Sequence, residues 1–292
     1  MTSKFSGTGV ALITPFDANG SVDYAALTKL VKFVSGNGVS YLVALGTTAE
    51  TPTLTADEKA KILACIKAAN TAKLPLMVGV GGNNTAEVVE KIRHFDFGGV
   101  DALLSVTPYY NKPSQQGMYE HYTVAADASP VPVMLYNVPG RTGVNLAADT
   151  TLRLAQHKNI FSIKEASGNL SQMGCILRDK PKDFLVISGD DGLALPLMSI
   201  GGDGVISVAA NAIPKQVSDM INLALAQKYN EAAQLHLRMI ELIDALFAEG
   251  SPAGIKAALT CKSMIINKLR LPLVPVSVAL MEKMKKLLSA VD

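Results

Sequence analysis

Eight short apolar runs recur along the chain at intervals of about 25 residues, and the stretches between them show helical apolar periodicity. The runs begin at Gly9, Tyr41, Leu74, Asp101, Val131, Ile160, Phe184 and Asp203. A β-rich run followed by an amphipathic helix is the repeating unit of a parallel sheet. Eight such units in a chain of 292 residues favour an α/β fold, namely a closed (β/α)8 TIM barrel.

The eighth unit ends near residue 227, and a further apolar-periodic helical segment follows it. We therefore expect residues 1–227 to form the barrel and residues 228–292 to form a C-terminal helical extension, packed on the barrel or on a neighbouring subunit. Two helix starts carry capping-box spacing: Thr55 with Glu58, and Asn84 with Glu87.

Composition narrows the choice of partners. Hydrophobic residues make up 49% of the chain, and the net charge is +2 with acids and bases interspersed, which predicts binding of neither nucleic acid nor a membrane surface. The chain also lacks a signal-peptide core and a spanning apolar segment, so we expect a cytoplasmic protein. Cys65, Cys175 and Cys261 have no CxxC spacing and are expected to be buried, reduced thiols.

A lysine stands at the end of the sixth predicted strand, in "FSIKEASG". Strand residues alternate between barrel interior and helix layer, so Phe161 and Ile163 are expected to face outward, which turns Lys164 inward. The same alternation in "VMLYN" points Tyr136 inward on the neighbouring strand. Two polar side chains should therefore meet at the catalytic face of the barrel.

Two interpretations of this lysine remain open from its position alone. A desolvated amine favours the neutral form, which can condense with a ketone to an imine that acts as an electron sink, and a phenol beside it can move the protons. Alternatively, the ammonium pairs with a carboxylate such as Asp190 at the end of the seventh strand. Nearby loops favour the first interpretation: Arg141 in "NVPGRTG" suits a substrate carboxylate, and Thr47 and Thr48 in "GTTAE" offer hydroxyl and N–H groups.

Five motifs resemble, in order and spacing, the dihydrodipicolinate synthases of the N-acetylneuraminate lyase superfamily. They are "GTTAETPTL", "TPYYNKPSQQG", "YNVPGRTG", "IKEASGN" and "SGDD". The resemblance covers the whole barrel and, more loosely, the helical tail. It implies condensation of pyruvate with L-aspartate-4-semialdehyde to 4-hydroxy-tetrahydrodipicolinate, the first committed step of diaminopimelate and lysine biosynthesis.

The resemblance also implies catalytic roles. Lys164 would form a Schiff base with pyruvate, and the derived enamine would attack the semialdehyde before cyclisation releases the lysine. Tyr136 would be the centre of a proton relay with Thr47 and Tyr110, the last reaching in from the partner subunit of a tight dimer. A homotetramer built from two tight dimers is implied as well.

Substrate-binding roles follow from the same resemblance. Arg141 would meet the carboxylate of the semialdehyde, Thr48 would contact the pyruvate carboxylate, and Gly189 and Ile206 match backbone positions near the site. The family commonly has glycine where this chain has Ala49. If that position needs a positive φ, alanine costs about 1 kcal/mol.

An allosteric lysine site is also implied, at Thr51, Asn83, Glu87 and Tyr109. Lys59, however, stands where lysine-sensitive members often have histidine or glutamate. Because a second ammonium would repel the effector, we expect feeble feedback inhibition.

Three other functions fit the sequence less well. A related aldolase acting on a sialic acid or keto-sugar acid usually lacks the arginine that this chain has at position 141. A non-catalytic keto-acid-binding paralogue would need a substitution in the proton relay, but Thr47, Tyr110 and Tyr136 are all present. A metal-dependent aldolase needs several converging ligands. The four histidines, His94, His121, His157 and His236, all lie in helical stretches and are expected to be solvated. We therefore expect neither a metal nor an organic cofactor, and "GVGGNNTAE" lacks the third glycine of a dinucleotide motif.

Overall fold

The computed structural model describes residues 2–291, and its centre is a closed barrel of eight parallel strands. Each strand pairs with the next one in sequence, and the eighth pairs with the first. The strands are β1 (Gly7–Ala11), β2 (Tyr41–Ala44), β3 (Leu76–Gly79), β4 (Ala102–Val106), β5 (Val133–Asn137), β6 (Ile160–Glu165), β7 (Leu185–Ser188) and β8 (Gly204–Ser207). The predicted (β/α)8 barrel is confirmed.

Helices surround the barrel and continue beyond it. They are α1 (Tyr24–Ser35), α2 (Ala56–Ala69), α3 (Thr85–His94), α4 (Gln115–Ala128), α5 (Pro139–Thr142), α6 (Ala148–Leu154), α7 (Leu170–Asp179), α8 (Ala194–Ser199), α9 (Pro214–Leu225), α10 (Tyr229–Phe247), α11 (Ala253–Cys261) and α12 (Val278–Val291). Between residues 2 and 291, no helix is both long and apolar enough to cross a bilayer.

The helix starts follow the capping signals in the sequence. The Thr55 hydroxyl accepts a hydrogen bond from Glu58 N–H, and the Glu58 carboxylate accepts one from Thr55 N–H, so the predicted capping box is present. Asn84 caps α3 through Ala86 N–H. Glu87, however, accepts a hydrogen bond from the side-chain amide of Asn84 rather than from its backbone, so this pair is a cap without the full box.

The strands separate two apolar clusters, one inside the barrel and one between the barrel and the surrounding helices. Leu135 and Ile163 pack outward against the helices, whereas Met134 and Tyr136 belong to the interior cluster, as the alternation predicted. The outward orientation expected of Phe161 is wrong. Its ring lies 5.4 Å from that of Phe5 inside the barrel. The cause is a register shift between β5 and β6, where Phe161 is an extra residue between the paired positions of β6.

The C-terminal helices pack on the barrel's helix layer and on one another. Helix α10 contacts α8 and α9, while α12 lies against α10 and α11. Only residues 226–228 separate α9 from α10, so the division of the chain at residue 227 stays a prediction.

Two expectations about single residue types need correction. The cysteines are free, but Cys175 is exposed and the other two are half-buried rather than buried. His121 is buried on α4, where its Nδ1 lies 2.9 Å from the Thr85 hydroxyl, so it is not solvated. His157 follows α6 instead of lying within a helix, and its Nε2 lies 3.1 Å from Asp127.

Candidate active site

The C-terminal end of β6 brings Lys164 beside Tyr136. The two residues are direct partners in the β5–β6 register, and the Lys164 Nζ lies 4.2 Å from the centroid of the Tyr136 ring. Both residues are 6% exposed. The lysine is therefore held inside the barrel by its strand, with an aromatic face against its head group.

Gly189 provides the space that the lysine stem occupies. A Cβ at this position would lie 2.8 Å from the Ala166 Cβ and 2.9 Å from the Lys164 Cε, closer than side-chain carbons approach. Gly189 follows β7, which pairs with β6 and ends beside the lysine. The Ala166 methyl group and the lysine side chain together favour glycine at this position.

The Lys164 side chain is not paired with an acid. Within residues 2–291 no carboxylate lies within 4.0 Å of its nitrogen, so the predicted alternative of a pair with Asp190 is wrong. Asp190 instead accepts hydrogen bonds from Gly192 N–H and Leu193 N–H, which fix the loop after β7. The adjacent Glu165 points away from the lysine and accepts hydrogen bonds from Asn137 and Gln172 side chains.

An open cavity of about 430 Å³ lies in front of the lysine, and a second of about 170 Å³ adjoins it. Six residues line both: Thr47, Thr48, Tyr136, Val138, Arg141 and Lys164. The smaller cavity is also lined by Gly189 and Asp190 and, from the C-terminal helices, by Phe247 and Ser251. The combined space suits small polar molecules that reach the amine from the loop side of the barrel.

Arg141 reaches the cavities from α5, the short helix after β5. Its side chain is exposed, and its Nη2 donates a hydrogen bond to the Ser251 carbonyl oxygen at 3.2 Å. In the part of the chain that the structure describes, the guanidinium has no carboxylate partner. It is therefore free to bind an anionic group of a ligand.

The threonine loop after β2 is a tight turn. Thr47 is exposed and Thr48 is 6% exposed, and both lie in the 3-10 turn Thr47–Ala49. Ala49 does not have a positive φ, so the cost considered for alanine at this position does not arise. The left-handed residue of the turn is Glu50, with φ 54°.

Two predicted site residues are not at the cavity of this chain. The Tyr110 side chain is 88% exposed, and its neighbour Tyr109 lines the larger cavity instead. Ile206 is 1% exposed and packs in the barrel interior without lining either cavity. Their proposed roles stay predictions.

Of the four residues predicted to bind lysine as an effector, two line the larger cavity and two do not. Thr51 and Tyr109 line the larger cavity, whereas Asn83 and Glu87 do not. Lys59 and Lys91 line it as well. Burial lowers the pKa of Lys59, and the nearby Lys91 lowers it further. The Lys91 Nζ lies 4.0 Å from the Glu87 carboxylate.

Several lining residues carried no usable signal in the sequence. Lys91 lies within α3, Phe247 is the last residue of α10, and Ser251 lies in the turn that follows, so none of them stands at the end of a strand. Of the residues described, no group of three or more His, Cys, Asp or Glu side chains is arranged to hold a metal ion.

A closed parallel barrel with an unpaired lysine inside the end of its sixth strand defines a class: (β/α)8-barrel enzymes with a lysine at the active site. Residues 4–291 match the model of the dihydrodipicolinate synthetase family, so the chain belongs to that family.

Individual relatives agree with this assignment. The chain is 53% identical over 286 residues to a 4-hydroxy-tetrahydrodipicolinate synthase of Parabacteroides distasonis, covering 98% of this chain and 96% of the relative. It is 52% identical over 288 residues to the enzyme of the same name from Phocaeicola vulgatus, covering 98% and 97%. A solved dihydrodipicolinate synthase from Cyanidioschyzon merolae with lysine bound superimposes with a TM-score of 0.94 at 38% identity, covering 99% and 98%.

Proposed function

We propose that this chain is a 4-hydroxy-tetrahydrodipicolinate synthase that works through a covalent imine between Lys164 and pyruvate. Family membership and the relatives at 53% and 52% identity support the activity. The observation that carries the covalent route is the lysine amine, which lies inside the barrel without a carboxylate partner and faces an open cavity.

The chemistry follows from the groups around that amine. The Lys164 nitrogen adds to the keto carbon of pyruvate, and water leaves as the imine forms. Loss of a proton from the pyruvate methyl group gives an enamine, whose carbon attacks the aldehyde of L-aspartate-4-semialdehyde. The amino group of that substrate then adds to the imine carbon, which closes the ring and releases Lys164. Tyr136 and Thr47 line the same cavity and supply hydroxyls for the proton transfers.

Substrate choice is tested by turnover. Purified protein should consume pyruvate together with L-aspartate-4-semialdehyde, and it should leave sialic acid and keto-sugar acids uncleaved. The product is detected by coupling to a reductase that oxidises a nicotinamide cofactor. Cleavage of a sialic acid in place of the condensation would assign the chain to the related aldolases. Pyruvate binding without any turnover would make it a keto-acid-binding protein.

Arg141→Ala should weaken use of the semialdehyde while pyruvate still reacts. The guanidinium lines both cavities without an acid partner, so its loss removes a charge-assisted contact to the second substrate, typically about 1.5–3 kcal/mol. The expected result is a rise of about tenfold or more in KM for the semialdehyde, with undiminished reductive trapping of pyruvate. Arg178→Ala, which removes an exposed arginine paired with its neighbour Asp179, is the matched control. Equal loss of pyruvate trapping in Arg141→Ala would contradict this role.

Lysine feedback should be feeble, because the Lys59 ammonium faces the cavity that Thr51 and Tyr109 also line. The solved relative binds lysine, so the same ligand is the natural probe. Half-inhibition is expected well above micromolar L-lysine, and Lys59→Glu should strengthen inhibition by about tenfold or more, since it replaces repulsion with attraction. Lys61→Glu, on the exposed face of the same helix, is the control. Half-inhibition of the native chain at micromolar lysine would contradict the expectation.

We further propose that the reaction needs neither metal nor organic cofactor, and that dialysis against a chelator leaves activity intact.

We propose a homotetramer of two tight dimers in the cytoplasm, in which the exposed Tyr110 enters the partner's site. Light scattering of the full chain measures the mass of that assembly.

A further inference from the structure

A buried ion pair lies directly behind the threonine turn of the site. The Glu50 Oε1 accepts a hydrogen bond from Lys256 Nζ, and both side chains are 0% exposed. Lys256 also donates to the Lys268 carbonyl oxygen at 2.9 Å and lies 4.1 Å from the centroid of the Phe16 ring. Burial lowers the pKa of Lys256, and the Glu50 carboxylate opposes that shift.

The backbone of Glu50 closes the turn that carries Thr47. Glu50 N–H donates to the Thr47 carbonyl oxygen at 3.1 Å, which ends the turn. The left-handed conformation of Glu50, φ 54° and ψ 33°, is unfavourable for a residue with a side chain. Contacts of the side chain must therefore hold it, and both carboxylate oxygens are used: Oε2 accepts a hydrogen bond from Arg270 N–H at 3.0 Å.

Stability alone does not account for this pair. Desolvation of two buried charges offsets their attraction, and replacing such a pair with apolar residues of similar volume is often neutral or stabilising. A buried pair does fix geometry, because any displacement leaves a charge unpaired in an apolar interior. In this protein the pair fixes the conformation of Glu50, three residues after Thr47.

The lysine reaches this turn from the C-terminal helices. Lys256 lies on α11, and Ser251, just before that helix, accepts the hydrogen bond from Arg141 at 3.2 Å. One segment of the C-terminal region thus contacts two functional groups of the cavity, the threonine turn and the arginine.

We propose that the buried pair of Glu50 and Lys256 positions the Thr47 hydroxyl for proton transfer at the Lys164 site. Glu50 and Lys256 line neither cavity and are positioning residues that act through Thr47. This inference rests on the proposed function.

A double-mutant cycle tests it on the full chain. The variant Glu50→Gln/Lys256→Met removes both charges together. Four proteins are compared: the native chain, this variant, Thr47→Val, and the chain that carries all three substitutions. We expect kcat to fall by about tenfold or more in the native background, because a small misplacement of a catalytic group costs up to about 10²-fold. In the Thr47→Val background the same change should lower kcat by less than about twofold, since the hydroxyl it positions is absent.

The outcomes separate positioning from structure. Effects that multiply in the two backgrounds, or no effect in the native background, would overturn the inference. The matched control is Lys215→Met/Asp219→Asn, which removes an exposed ion pair of 2.6 Å on α9 and should leave kcat unchanged in both backgrounds. If the double replacement does not fold, Glu50→Asp in both backgrounds retracts the carboxylate by one methylene and gives the same two outcomes.

Failure of the proposed function is distinguishable from failure of this inference. If the native chain forms no imine with pyruvate, the proposed function itself fails. If the native chain forms the imine but the cycle is multiplicative, only the positioning role fails.

Discussion

Lys164→Ala is expected to abolish both turnover and covalent capture of pyruvate. The amine is the nucleophile in the proposed route. The other lysines that line the larger cavity, Lys59 and Lys91, do not line the smaller cavity, whereas Lys164 lines both. The loss in kcat should be at least about 10³-fold, the scale seen when a covalent nucleophile is removed. Turnover with the semialdehyde and mass spectrometry after reduction with borohydride measure the two effects on the same sample.

Two control variants distinguish loss of the amine from damage to the barrel. Lys164→Arg keeps a positive charge on the same strand but has no nucleophilic amine, so it should be as inactive as the alanine variant. Lys91→Ala removes another lysine that lines the larger cavity, and it should retain pyruvate capture. Substantial activity in Lys164→Ala would remove this residue from the mechanism, whatever the control variants show.

Tyr136→Phe should slow turnover by about 10²-fold or more, the usual contribution of a positioned proton-transfer group. The variant keeps the ring that lies 4.2 Å from the lysine nitrogen, so the shape of the site and the burial of the amine are preserved. Reduction should still capture pyruvate on Lys164, at a lower rate. Steady-state kcat and the rate of capture are the two measurements.

The matched control removes a phenol hydroxyl elsewhere. Tyr229→Phe deletes a hydroxyl that donates to the Met198 carbonyl oxygen at 3.2 Å on the helix layer, and it should leave kcat within about twofold of the native value. Near-native turnover in Tyr136→Phe would show that the phenol takes no part in proton transfer.

Much of this architecture follows from local sequence pattern. Alternation along β5 and β6 predicted that Tyr136 and Lys164 point inward, because side chains in a strand have a period of two. The same reasoning failed at Phe161. One extra residue in β6 shifts the register there, and nothing in the surrounding sequence indicates where a strand will bulge.

Contacts between distant segments lie beyond such reasoning. The sequence makes Asp190 a plausible partner for Lys164 because Lys164 lies near the end of β6 and Asp190 follows the neighbouring strand β7. In the structure Asp190 caps the loop after β7 instead. The partner of Glu50 is Lys256, which lies on a helix outside the strand pattern and is fixed only by how α11 packs. Sequence periodicity locates strand ends, whereas side-chain pairing across the fold depends on packing.

Incubating the native chain with pyruvate and borohydride, followed by mapping of the modified peptide, tests the covalent route through Lys164. We expect one reduced pyruvate per chain, attached to Lys164, with parallel loss of activity. An unmodified chain, or a label on any other lysine, would rule this route out.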